Sequence, residues 1–353
     1  MEEETRNRIR SEAHSKLILT GEHSVVYGYP AIAVPFPLKV YIDIWGGLGE
    51  PRVISSIYTG SFNGAPKEWK GMMTVVEEIH RYFNKPLQDI VIQVQSDIPQ
   101  GRGLGSSAAI AMALVKGLFH FYKKDLTNEM LFYFVGLAES FAHGKPSGID
   151  MMAVFYDAPI YFKKEEGVHS LSYNNPFSYN NSPSYRDSFY NSNFPYCLSS
   201  PFCSNDLYLV VADSGIEGDT KSAVGQVRRR YENNEENIGG IIHQIGNITL
   251  EIKEAMEQGN NKAMGRLMNE NHGCLKELGV SNEVLDKLVE KALKTGALGA
   301  KLTGGGLGGC IIALIDSKDG ARKVMKELME EGAKVSWYFS LENYEIIDSI
   351  HSF

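Results

Sequence analysis

The residues best suited to chemistry lie in a few glycine-punctuated stretches. In PQGRGLGSSAA, Pro99 to Ala109, Gly101, Gly103 and Gly105 alternate with Arg102 and Leu104, and Ser106, Ser107 and Ala108 open an apolar run. Backbone N–H groups at a helix N-terminus lack intrahelical acceptors and carry partial positive charge. A glycine loop feeding a helix can therefore wrap phosphate oxygens without side-chain clashes. The two serine hydroxyls can cap such a helix or reach a phosphate or magnesium ion. The stretch is not a Walker loop, since G-x-x-x-x-G-K-[ST] is absent, nor is it G-x-G-x-x-G with the usual acidic residue after it. Read alone, it is equally a flexible turn with a serine N-cap.

Other stretches add polar groups at chain breaks. SKLILTGEHSVVYG places Lys16 at the start of an apolar run and Glu22-His23 in the loop after it. KLTGGGLGGC carries five glycines in the six positions from Gly304 to Gly309, among them Gly305 and Gly306, interrupted by Leu307. HGKPSGID ends on Asp150 after Ser147 and Gly148, eleven positions beyond Glu139, and DSGIEGDTKSAV contains Thr220. Taken singly, each has a plain structural reading: a solvated strand end for Lys16, a solvated helix face for Glu139, a cap for Asp150 or Thr220.

The elements that must hold these groups follow from patterning. Ser15 to Val34 reads as strand, loop and strand, and Ile90 to Gln95 as a strand broken at Pro99. Ala108 to Tyr122, rich in Ala, Leu and Met, reads as a buried helix, and Thr127 to His143 as a second one carrying Glu139. From Lys163 to Asn205 the composition shifts to Ser, Asn, Tyr, Phe and Pro, which marks an insertion outside the core. Leu207 to Gly215 resumes as a buried strand leading to a polar loop. Helical patterns run from Val224 to about Gly296, Lys301 to Ile315 ends in a buried strand, and a helix and a strand close the chain.

With 353 residues, 43% hydrophobic and 22% charged, the chain reads as a globular protein of two domains. A net charge of -8, with Arg228-Arg229-Arg230 as its longest basic cluster, argues against a nucleic-acid surface. The charged N-terminus lacks the apolar core of a signal peptide, and runs such as Cys310 to Ile315 are too short to span a bilayer, so the expected location is the cytoplasm. Cys197, Cys203, Cys274 and Cys310 have no metal-ligand spacing and read as free thiols.

Together and in this order, the Lys16–Gly28, Pro99–Ala109 and Lys301–Cys310 stretches resemble the three signatures of the GHMP kinases, the superfamily of galactokinase, homoserine kinase, mevalonate kinase and phosphomevalonate kinase. GEHSVVYG and HGKPSGID are most similar to the mevalonate kinases, and the resemblance covers roughly residues 12–155 and 207–345. It implies a two-domain α+β fold: an N-terminal domain like the second domain of ribosomal protein S5 (residues 1–206, with the insertion at about 165–205) and a C-terminal ferredoxin-like domain (residues 207–353). It also implies transfer of a phosphoryl group from ATP to the 5-hydroxyl of mevalonate.

Carried over position by position, the resemblance makes Asp150 the proton acceptor and Lys16 the cation that activates the hydroxyl. Ser107 and Glu139 become magnesium ligands, with Ser106 as a less favoured ligand or a cap. Gly101 to Ala108, with Gly305 and Gly306, become the nucleotide site. Glu22, His23, Ser147, Gly148 and Thr220 line the substrate pocket. Leu307 departs from the family, which often has glycine there. The implied cofactors are ATP and Mg2+, and the implied assembly is a homodimer without nucleic acid or membrane. Phosphomevalonate kinase, another small-molecule kinase of the superfamily, and a non-catalytic metabolite sensor remain as alternatives. Retention of Lys16, Ser107, Glu139 and Asp150 together speaks against the sensor.

Overall fold

The computed structural model describes residues 8–143, 147–156, 158–164, 166–170, 206–342 and 344–352. Its described residues fall into two compact units that interleave along the sequence: those within 1–15, 38–99 and 105–155, and those within 16–37, 100–104 and 156–353. The chain passes from one to the other inside its first two strands, β1 (Ile9–Thr20) and β2 (Ala31–Gly46). A linear cut at 206/207 follows the motifs rather than this interleaving.

In the first unit, β3 (Arg52–Ile54) pairs with β4 (Thr59–Ser61), and helix α1 (Lys70–Tyr82) then leads to β5 (Ile90–Ser96). β5 lies parallel to β3, Val53 opposite Ile92, and antiparallel to β2, Val40 opposite Ser96. A parallel pair requires such a crossover connection. Helices α2 (Ser106–Phe121), α3 (Asn128–His143) and α4 (Ile149–Phe155) follow, with α2 packed on α1, α3 and α4. The consecutive residues Ala111, Met112, Ala113, Leu114 and Val115 of α2 are all buried, so this helix is apolar almost all round, as a core helix is. Ile42 and Ile44 of β2, Ile92 of β5 and Val76 of α1 are buried on this unit's side.

In the second unit, β6 (Ile160–Lys163) pairs antiparallel with β2, Ala31 opposite Phe162, and with β7 (Gly167–Ser170). β7 lies inside the stretch expected to stay outside the core. Its residues pair because the strand reverses directly on β6. The rest of that stretch, 171–205, lies outside the described residues, as do Cys197 and Cys203. Cys274 and Cys310 are free and buried.

The unit continues with β8 (Tyr208–Asp213), helices α5 (Thr220–Asn233), α6 (Glu235–Glu257), α7 (Asn261–Glu277) and α8 (Glu283–Thr295), strands β9 (Gly299–Thr303) and β10 (Cys310–Ile315), helix α9 (Lys318–Glu330), β11 (Val335–Ser340) and β12 (Ile346–His351). The sheet order is β12-β11-β8-β10-β9, all antiparallel. β8, β9, β10 and β11 thus take the ferredoxin-like arrangement expected, with β12 added at the edge. α8 and α9 pack on this sheet, and every residue of β8 and β10 is buried, those facing either side alike. Among the described residues no helix is long and apolar enough to cross a membrane.

Candidate active site

In the second unit the glycine loop, the first motif and the third motif are tied together. The Lys16 backbone N–H donates to Leu104 O at 3.2 Å and its ammonium to Gly103 O at 3.1 Å. Strand β1 thus carries the lysine along the loop's carbonyl edge. Thr303 fastens the same strand to β9: its hydroxyl accepts from Ile18 N at 3.1 Å and donates to Ile18 O at 2.9 Å. The two glycine loops meet backbone to backbone, since a Cβ on Gly304 would stand 2.9 Å from Gly103 O. Only glycine permits that approach.

His23 sits at φ 62°, a left-handed conformation that few residues other than glycine adopt, at the entrance to the 3-10 turn Ser24–Tyr27. Its Nε2–H donates to Gly305 O at 2.9 Å, and burial lowers its pKa to about 4, so the imidazole is neutral near pH 7. Glu22 is buried and pairs through Oε1 with Lys301, itself wholly inaccessible. Burial pushes the Glu22 carboxyl up and the Lys301 ammonium down. Their attraction and hydrogen bond oppose both shifts.

Arg102 is held within its loop by Asp213 at the end of β8, Nε lying 2.8 Å from Oδ1 and 2.9 Å from Oδ2. Asp213 Oδ1 also accepts from Gly215 N at 2.8 Å. Thr220 is the first residue of α5 and not its cap: that place belongs to Asp219, which accepts from Lys221 N. Thr220 stands against the third motif, where a Cβ on Gly305 would meet its Cα at 2.9 Å. Gly306 packs on the Val280 carbonyl, and Leu307, half-buried at φ 59°, donates its N–H to Val280 O at 2.7 Å.

In the first unit, Gly105 at φ 75° occupies the N-cap of α2, and no side chain caps the helix. The serine cap that the sequence allows is therefore not used. The chain turns into the helix one residue earlier, leaving Ser106, Ser107 and Ala108 as its first turn with N–H groups beyond intrahelical reach. Glu139, on α3 packed against α2, is buried. Asp150 lies in the first turn of α4, behind Gly148 at φ 92°, and Ser147 Oγ accepts from Ile149 N at 3.4 Å. Among the described residues no three His, Cys, Asp or Glu side chains converge as a metal cage. A serine hydroxyl and a buried carboxylate are hard oxygen donors, the type that holds magnesium together with phosphate and water.

Sequence reasoning missed Lys301, Asp213 and Thr303. Lys301 lies mid-strand in β9, Thr303 ends that strand just before the third glycine run, and Asp213 ends β8 two residues before Gly215, and those positions were their only signal.

Residues 70–158 match the family model of the GHMP kinases N terminal domain, and residues 252–334 that of the GHMP kinases C terminal region. The chain is 32% identical over 331 residues to the mevalonate kinase of Pyrococcus abyssi, covering 88% of this chain and 89% of that one. It is 30% identical over 362 residues to the mevalonate kinase of Thermococcus onnurineus, covering 93% and 98%. The chain belongs to the mevalonate kinase family of GHMP kinases. Its fold agrees: the crystal structure of the Methanococcus jannaschii mevalonate kinase superposes with a TM-score of 0.74 at 26% identity, covering 95% of this chain and 98% of that chain. The α+β, two-domain architecture expected from the motifs is the GHMP kinase fold.

Proposed function

We infer that the protein is an ATP-dependent kinase that phosphorylates the 5-hydroxyl of mevalonate, giving 5-phosphomevalonate and ADP. The observation that carries this reading is near full-length similarity to mevalonate kinases, together with the ties of Lys16 to the glycine loop and of His23 to the third motif.

Phosphoryl transfer needs an oriented nucleophile and compensation of phosphate charge more than covalent help. In our assignment Asp150 accepts the hydroxyl proton, and Lys16 stabilises negative charge developing on that oxygen. We assign the nucleotide phosphates to backbone N–H groups of the loop 101–105 and of the first turn of α2, together with Gly305 and Gly306. Ser107 and Glu139 would hold magnesium, which supplies neutralisation of phosphate charge. Ser106, the residue before Ser107 in that turn, offers a hydroxyl to phosphate. We assign Glu22, His23 and Thr220 of the second unit, and Ser147 and Gly148 of the first, to binding of the alcohol. Neutral His23, whose Nε2–H donates to Gly305 O, keeps Nδ1 as an acceptor for a hydroxyl of the substrate. We assign the protein to the cytoplasm as a homodimer, which sedimentation of the purified protein tests.

The deciding experiment is incubation with MgATP and, in turn, mevalonate, phosphomevalonate, galactose and homoserine. ADP release with mevalonate alone, with a phosphomonoester appearing by 31P NMR, is expected. Turnover of another alcohol, or of none, overturns the reading.

A further inference from the structure

Lys301 has no role in the catalytic set assigned above, yet it is wholly buried in β9. Withdrawing an ammonium from water costs several kcal/mol, so its partners must be specific. They are the Glu22 carboxylate and the Leu302 carbonyl, the latter at 2.7 Å. The strand leaves it little freedom. Lys301 pairs with Ile312 in the β9–β10 ladder, and Thr303, two residues on and so on the same face, is bonded to β1 at Ile18.

Glu22 shows what this rigidity is for. Only its Oε1 is engaged by Lys301, while its Oε2 is buried and has no hydrogen-bond partner among the described residues. An ionised carboxylate accepts and does not donate, and an unmet buried acceptor is costly. The neighbouring His23 donates to Gly305 O, which fixes the loop so that the free oxygen keeps its direction.

We propose that Lys301 is a positioning residue for substrate binding: from β9 it holds one oxygen of Glu22 and so presents the other, as an acceptor, to a hydroxyl of the alcohol substrate. This rests on the reading of Glu22 as a pocket residue. The charged and titratable groups that act on Glu22 or Lys301 are Lys16 from β1, His23 in the same loop and His272 from α7, which packs on β9. Both histidines are neutral near pH 7, their pKa values lowered by burial to about 4. Lys301, with Lys16 as the second cation, therefore opposes the tendency of burial to turn Glu22 into a neutral acid, which would donate where the substrate needs an acceptor.

The test is steady-state kinetics of the full chain with Lys301→Met, Glu22→Gln and the double variant. Lys301→Met should raise KM for mevalonate about 10- to 100-fold while KM for ATP changes by less than about twofold. The acid limb of its kcat/KM profile for mevalonate should move to higher pH. The double variant, which leaves no unpaired buried charge, should match Glu22→Gln in KM for mevalonate, because Lys301 acts only through Glu22. That comparison stands even if Lys301→Met alone does not fold. An unchanged KM and pH profile in Lys301→Met, an equal rise in both KM values, or a further loss in the double variant overturns the inference while the parent still turns over mevalonate. A parent inactive on mevalonate overturns the functional reading and this inference with it.

Discussion

Arg102 and Asp213, one in the glycine loop and the other at the end of β8, form a buried ion pair with both carboxylate oxygens within 2.9 Å of the guanidinium Nε. The pair gives a loop made mostly of glycine a fixed anchor. Gly309 extends the same contact, since a Cβ there would fall 2.7 Å from Arg102 O. Breaking such a pair by removing one partner leaves an uncompensated buried charge, at about 3–5 kcal/mol. Asp213→Asn should therefore lower the urea-derived unfolding free energy by about 3 kcal/mol. It should also raise KM for ATP more than KM for mevalonate. A variant with parental stability would show that the guanidinium finds water instead.

Gly306 and Leu307 are neighbours with opposite consequences. Both have positive φ, 79° and 59°. A Cβ on Gly306 would stand 2.2 Å from the Val280 carbonyl oxygen, a distance nothing but backbone movement relieves. Gly306→Ala should destabilise by about 2–3 kcal/mol. Leu307 already bears the left-handed penalty of about 1–2 kcal/mol. Leu307→Gly removes it, at the expense of extra unfolded-chain entropy, and should stabilise by about 0.5–1 kcal/mol. Thermal unfolding of the two variants side by side gives the comparison, and melting temperatures shifted in the same direction would refute it.

His272 gives stability a defined pH dependence. Its Nδ1 accepts from Leu302 N at 3.4 Å, so Nε2 carries the proton and faces Asp286 Oδ1 at 3.2 Å. Burial, partly offset by Asp286, lowers its pKa to about 4. Unfolded, the imidazole binds a proton near pH 6.5; folded, near 4. As pH falls through that window the unfolded chain takes the proton first, and stability drops by up to about 1.4 kcal/mol per pH unit. His272→Gln keeps a donor for Asp286 and does not titrate. Its unfolding free energy should fall less steeply between pH 6.5 and 4.5, and a slope equal to the parent's would rule His272 out.

How far the sequence disclosed this molecule can be followed along β1. Leu17 to Thr20 are buried and apolar enough to mark a strand, but its first half alternates polar residues on an exposed face, where Arg8 and Arg10 pair with Asp43 across on β2. A polar edge carries no apolar signal, so the strand is longer than its hydrophobic run. The three-residue strands β3 and β4 are too short to show a period, and β12, whose residues are mostly exposed and do not alternate, shows none either. α4 was hidden by Pro146 and Gly148, which read as punctuation although they only precede it. The glycine motifs were legible because backbone conformation restricts which residue can stand there. Lys301 and Asp213 were not, because a charge inside an apolar strand acquires meaning only from its partner on a distant segment.

Proton transfer and metal binding fall to different side chains in this assignment. Asp150→Asn keeps the shape of the first turn of α4 and deletes the proton acceptor. It should lower kcat about 100- to 10,000-fold with little change in nucleotide affinity or in the magnesium concentration at half-maximal rate. Glu139→Gln and Ser107→Ala leave the acceptor in place and weaken oxygen donors to the metal. They should raise that magnesium concentration, and saturating metal should recover much of the rate. Because α2 and α3 pack together, the two metal variants should also be non-additive when combined. Magnesium titrations with identical midpoints in the parent, Glu139→Gln and Ser107→Ala would remove both residues from the metal site. An Asp150→Asn enzyme within a few fold of parental kcat would remove Asp150 as the base.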